Sequence, residues 1–219
     1  MMQRAWILAA GLLCAAYPAS ASAQASASPP AATKAAQEAV VRKTLYDHGA
    51  CLVRELRRAS ERYLATFPFS ENAEKAARRL VTPQCPEGAD LPLSVEALRG
   101  PLYEALYHAE FGNAPVADLE GVAPIDYSVG EGTVDTEARS IQVALRFFAD
   151  CVVRRNYQPV RALVSTEVAS EAEKTAFQPL VPSMSACLPQ GTTLKFTRPL
   201  LRALFAETLY RLSAAKSGT

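Results

Sequence analysis

The stretch Cys51-Leu52-Val53-Arg54 returns as Cys151-Val152-Val153-Arg154, and that return decides the reading of the chain. A second cysteine follows each at nearly the same distance, Cys85 in the first half and Cys187 in the second. Between them, Ala73-Glu74-Lys75 is matched by Ala172-Glu173-Lys174. Past the second cysteine, Gly88, Leu91, Leu98, Arg99, Glu104, Leu106 and Tyr107 align with Gly191, Leu194, Leu201, Arg202, Glu207, Leu209 and Tyr210. The offset drifts from 100 to 99 to 103 residues along the copies, as small loop insertions produce. Recurrence at one long period marks a chain built from a repeated unit.

Hydrophobic periodicity makes the unit helical. Ile141, Leu145, Phe148 and Val152 step by 4, 3 and 4, as do Val41, Leu45, His48 and Leu52, which is the spacing of one face of an α-helix. Leu201, Leu204, Phe205, Leu209 and Leu212 form a second such stripe, with Thr197 as its expected N-cap and Pro199 in the first turn. Ser170-Glu171-Ala172-Glu173 reads as a capping box opening a middle helix, which Pro179 and Pro182 kink or end.

The expected fold is therefore all-α: two tandem copies of a three-to-four-helix module, spanning 35–111 and 136–214. In each, a long helix bears the first cysteine, shorter helices follow, and a short extended segment precedes the last helix. Those segments are Leu91-Pro92-Leu93 and Leu194-Lys195-Phe196, with Pro92 confining the first to an edge. Ser94–Arg99 forms a separate turn before a last helix that starts near Pro101. Residues 112–135, rich in Gly, Pro and Asp, read as a flexible linker, and 215–219 as a tail. Four cysteines allow three pairings. A solution that works twice selects Cys51 with Cys85 and Cys151 with Cys187.

The fifth cysteine is Cys14, inside a segment that reads as a secretory leader. Residues 1–23 carry one positive charge at Arg4, an apolar run from Ala5 to Tyr17, and the small-residue site Ala21-Ser22-Ala23, with the expected cut between Ala23 and Gln24. The apolar run is shorter than the ~20 residues of a membrane span, and no later stretch approaches that length. Residues 24–34 are rich in Ala, Ser and Pro and read as a flexible leader. Beyond the signal the chain carries 22 basic and 22 acidic residues. Such neutrality speaks against an electrostatic nucleic-acid binder, and an even set of cysteines in an exported chain reads as disulfides.

No catalytic constellation emerges. His48 falls on an apolar stripe and reads as a core or boundary histidine, while His108 sits near a helix C-terminus, where a cation complements the dipole. Neither belongs to a metal-ligand spacing, so no metal or cofactor is expected. There is no nucleophile elbow, and the cysteines are committed to disulfides. The carboxylates Glu71, Glu74, Glu171 and Glu173 lie in first helical turns, where acidic residues suit the dipole. Gly130-Glu131-Gly132 lacks the third glycine of a phosphate loop and reads as a flexible turn.

Four residue pairs recur without a packing reason: Arg54/Arg154, Arg99/Arg202, Glu104/Glu207 and Tyr107/Tyr210. Their structural reading is an Arg–Glu pair, assisted by the tyrosine, that locks first helix to last within each copy. The alternative is a duplicated polar pocket for a small molecule or glycan. Tyr63, Phe67 and Phe69 occur in one copy only and are candidates for a partner patch or for burial between the copies.

Across Cys-Val-Val-Arg, Ala-Glu-Lys, Cys-Leu, Leu-x-Phe, Leu-Arg-Ala-Leu and Glu-x-Leu-Tyr, the chain resembles small exported proteins of Gram-negative bacteria with the same cysteine-containing module. That resemblance implies a periplasmic home and no substrate. The expected role is a non-enzymatic binding or scaffold module for a protein or envelope component.

Overall fold

The structure, a computed structural model, describes residues 31–85, 94–114, 119, 121–188 and 196–218. The expected signal peptide, the extended segment 91–93 and residues 194–195 of its counterpart lie outside them. The described chain is all-helical and carries two disulfides. Helix α1 (Ala31–Leu64) leads through a tight turn to α2 (Glu71–Ala77), and a turn of 3-10 helix (Val95–Leu98) opens α3 (Arg99–Phe111). Helices α4 (Thr136–Arg155) and α5 (Tyr157–Val164) are followed by α6 (Glu171–Ala176), a 3-10 turn (Gln178–Leu180), α7 (Val181–Ala186) and α8 (Arg198–Ser217). Cys51 pairs with Cys85 and Cys151 with Cys187. Disulfides of this kind are the mark of an oxidising compartment.

Local sequence explains the helix ends. Asp135, Ser170 and Thr197 each accept a hydrogen bond from a backbone amide in the first turn of α4, α6 and α8, satisfying donors that a helix start leaves orphaned. Pro159 lacks the N–H that would bond back to Arg155, so the helix breaks at Asn156 and restarts as α5. Asn156 (φ −138°, ψ 44°) has its counterpart in α1, where Leu56 (φ −128°, ψ 38°) interrupts the helix at the same place in the first half.

The turns after these breaks also match. Thr66 donates to the Tyr63 carbonyl at 2.6 Å and Thr166 to the Leu163 carbonyl at 2.7 Å. Phe69 and Ala169 take left-handed φ of 61° and 62°, a region costly for side chains with a Cβ. Ser70 and Ser170 then cap the amides of Ala73 and Glu173. The two capped turns lie 100 residues apart, one more than the 99 that separate Ala73-Glu74-Lys75 from Ala172-Glu173-Lys174. Ala73 and Glu173 are the matching positions, and both are buried.

Both halves share one core. Helix α3 packs against α1 on one side and α8 on the other, and α8 packs in turn against α4. A continuous apolar cluster runs from Leu52 and Leu102 through Val152 to Leu204, Phe205 and Leu209. At the α3–α8 crossing, a Cβ on Gly100 would lie 2.4 Å from the Cβ of Ala203, so only glycine permits this approach. The stripe of α8 is buried throughout, whereas Ile141, at the start of the α4 stripe, is 51% exposed.

Three boundaries differ from expectation. Helix α1 begins at Ala31, inside the segment read as a flexible leader, and α8 runs to Ser217 before Gly218 closes it in a left-handed cap. The segment read as a flexible linker is packed in its described part. Tyr127 is buried, and Glu131 forms a parallel bridge with Thr66. Gly130 and Gly132 therefore belong to a docked strand-like piece rather than to a flexible turn.

Candidate functional site

Two polar clusters lie buried where the halves meet. In the first, Arg202 is fully buried and donates from Nε and Nη2 to the two oxygens of Glu104, at 2.9 and 2.7 Å. Its Nη1 reaches Glu173 at 3.2 Å, and Nη2 also reaches the Val164 and Thr166 carbonyls at 3.2 and 2.9 Å. Glu173 is held from its other side by Arg42, with bonds of 3.0 and 2.6 Å, and accepts from the Ala169 amide at 3.0 Å. The Tyr46 ring lies beneath the Arg202 guanidinium, 5.3 Å from its carbon.

The second cluster centres on Glu207. It accepts from Arg146 Nε at 2.9 Å and pairs with Arg211 at 3.0 Å. Arg211 lies over the rings of Tyr103 and Tyr127 and donates to the Tyr103 hydroxyl at 3.1 Å. Arg99 repeats the carbonyl contacts of Arg202 in its own half, reaching Leu64 and Thr66 at 2.9 and 3.1 Å. The Phe69 amide is met by Glu96 at 2.8 Å, the role that Glu173 fills toward Ala169 in the other half.

Electrostatics follow from this geometry. Burial raises the Glu104 carboxyl above its ordinary range, even against the hydrogen bond and charge of Arg202. Burial acts the same way on Glu173, but Arg42's hydrogen bond and charge outweigh it, and the carboxyl sits below the usual range. At Glu207 burial is likewise outweighed, here by the charges of Arg146, Arg211 and Arg99. The Tyr46 and Tyr127 phenols are raised by burial. Tyr210 is pushed up to about 12 by burial and by Glu110.

The recurring residues therefore do not form the arrangement expected of them. The Arg–Glu pair does not lock first helix to last within a copy: Arg202 of α8 takes Glu104 of α3, so the lock joins the two halves. Arg99 binds the turn carbonyls of Leu64 and Thr66 instead. Tyr107 is buried away from the pair, and Tyr210 donates to Glu110 at 3.2 Å. Arg54 and Arg154 lie in neither cluster. Arg54 is exposed, bonding to Glu55 and to Cys51 Sγ. Arg154 bonds to Asp150 and clamps the Val122 and Ala123 carbonyls. Tyr63, Phe67 and Phe69 form no surface patch, since Tyr63 and Phe67 are buried and only Phe69 is exposed. Phe67 lies under the Arg139 guanidinium at 4.0 Å.

His48 is buried, as its stripe position implies. His108 does more than face a helix end, for its Nε2 meets the Val164 carbonyl at 3.0 Å. Glu173 lies in the first turn of α6, as its sequence position implies, and is also a buried member of the first cluster. Arg42, Tyr46, Arg146 and Tyr127 were not anticipated. Tyr46 stands opposite Arg146 at the 100-residue offset of the first helices, and the capped turns place Glu173 opposite Ala73.

Among the described residues no group of three or more His, Cys, Asp or Glu side chains is placed to hold a metal ion. None of the described helices is long and apolar enough to cross a membrane. Compared with known proteins, the chain matches no family model, no curated protein and no solved structure.

Proposed function

We propose that this chain is an exported module of two fused helical copies that serves as a binding or scaffold element for a protein or envelope component and performs no chemistry itself. The carrying observation is the state of Arg202. It has no exposed surface, and its donors are taken by Glu104, Glu173 and the turn carbonyls. A residue committed in this way positions helices rather than a ligand. The matching helix breaks at Leu56 and Asn156, the left-handed Phe69 and Ala169, and the Ser70 and Ser170 caps support the duplication. The two disulfides fit a periplasmic setting.

Site-specific photo-crosslinking in the native envelope tests this reading, with the reactive side chain placed at exposed Phe69, Ile141 or Phe147. A discrete protein adduct from one face is the expected result. Absence of adducts from every face, combined with a small molecule that stays bound through purification, overturns it.

A further inference from the structure

The packed linker reveals a niche that exists twice. Tyr127 is 1% exposed, its hydroxyl donates to Asp150 at 2.8 Å, and its ring meets Phe147 edge-on at 5.6 Å. Arg211 lies over the ring, and Thr208 stands beside the phenol. These residues come from α4 and α8, next to the turn at Thr66 of the first half. Matching positions by the offsets of 100 in the first helices and 103 in the last gives Asp47, Ala50, Ala105 and His108. All four line one cavity of about 230 Å³, which Thr166, Glu167 and Val168 of the other half also line. The cavity is thus the counterpart of the Tyr127 niche, built from the opposite pairing of halves.

We propose that this cavity is a docking site for an extended peptide segment of a partner protein, anchored by a tyrosine side chain. The inference rests on the binding-module reading and names its site. Its volume lies below the roughly 300–1,000 Å³ of pockets for drug-sized ligands and suits one side chain. Asp47 stands where Phe147 stands in the filled niche and offers a carboxylate for the phenol, in place of the one Asp150 supplies there.

Backbone recognition has a template as well. Phe67 N donates to the Glu131 carbonyl at 2.8 Å, and Glu131 N donates to the Ala65 carbonyl at 3.1 Å. This is one rung of strand addition. Among the described residues the corresponding edge, Ser165 to Glu167, carries no such bridge. Arg154 clamps two carbonyls just ahead of Tyr127, and its counterpart Arg54 lies exposed one turn beyond Ala50. The recurrence of Arg54 and Arg154 thereby acquires a reason. The Lys43–Glu167 pair at the rim is exposed on both sides, and solvent screening makes such a pair a weak barrier to entry.

The probe is a synthetic peptide copying residues 121–132, titrated into the ¹⁵N-labelled purified protein. Shifts centred on Asp47, Ala50, Ala105, His108 and the 166–168 turn are expected. At least tenfold weaker binding is expected for the peptide with Tyr127→Ala, and for protein carrying Ala50→Trp or Asp47→Lys with unchanged melting. No shifts at millimolar peptide, shifts elsewhere, or indifference to both protein variants overturns the site. If the peptide fails while envelope adducts persist, the site falls and the binding-module reading stands. If it binds while adducts are absent from every face and a small molecule stays bound through purification, the site stands and the wider reading falls.

Discussion

Arg202 in α8 holds both oxygens of Glu104 in α3, at 2.9 and 2.7 Å, across the seam between the two halves. The planar guanidinium matches a carboxylate in a way no lysine could. Desolvating such a pair offsets much of its attraction, so its main effect is on geometry rather than on net stability. Here it fixes how far α8 can slide along α3. Glu173 and Arg42 extend the same grip to α6 and α1, so the halves are registered by a chain of charges.

The closest approach along that seam yields a direct prediction. Gly100→Ala places a Cβ against Ala203 at 2.4 Å, and overpacking of this kind costs about 1–3 kcal/mol. That should exceed the roughly 1 kcal/mol that alanine gains over glycine in a helix. Thermal melting should show a lower Tm for Gly100→Ala and recovery when Ala203→Gly is added.

Acid should weaken the seam. Glu173 and Glu207 lie below the usual carboxylate range in the folded state, so their contribution is present above the unfolded pKa of about 4.3 and is lost as pH falls through their folded values. Glu104 acts in the opposite sense, its raised carboxyl favouring the fold below the unfolded pKa and losing that effect as pH rises through its folded value. With two lowered groups against one, urea unfolding between pH 7 and pH 3 should show stability falling below about pH 4.3. Glu173→Gln should reduce the slope of that decline by up to about 1.4 kcal/mol per pH unit.

The disulfides should open in order. Cys51 and Cys85 are buried, at 6% and 1% exposure, whereas Cys151 and Cys187 are half-buried. Limited reduction followed by alkylation and mass spectrometry should label Cys151 and Cys187 first. Replacing Cys51 and Cys85 together by serine should cost about 3–4 kcal/mol on the chain-entropy model, given their separation of 34 residues.

Sequence periodicity made the long helices and the Thr197 and Ser170 caps legible because these depend on local chemistry, and the repeated cysteine spacing made both disulfides legible. The partner of Glu104 was not legible. An arginine that recurs beside a recurring glutamate implies contact within a copy, yet which copy supplies the partner depends on how α3 and α8 cross. That crossing is set by Gly100, whose missing side chain leaves no periodic signal. Glu173 was hidden differently, by a three-residue match that aligned one position off the capped turn. Tyr127 lies among the Gly and Pro residues of an apparent linker, and only the Asp150 acceptor on α4 accounts for its burial.

A double-mutant cycle on Arg202 and Glu104 tests the central claim, that the recurring charged residues join the halves rather than serve a ligand. Arg202→Met and Glu104→Leu should each cost about 3–5 kcal/mol by urea unfolding, since each leaves a buried charge without its partner. The double variant should recover part of that loss, giving a coupling energy of about 2 kcal/mol or more. Additivity within about 0.5 kcal/mol, with either single variant near wild-type stability, would contradict the account.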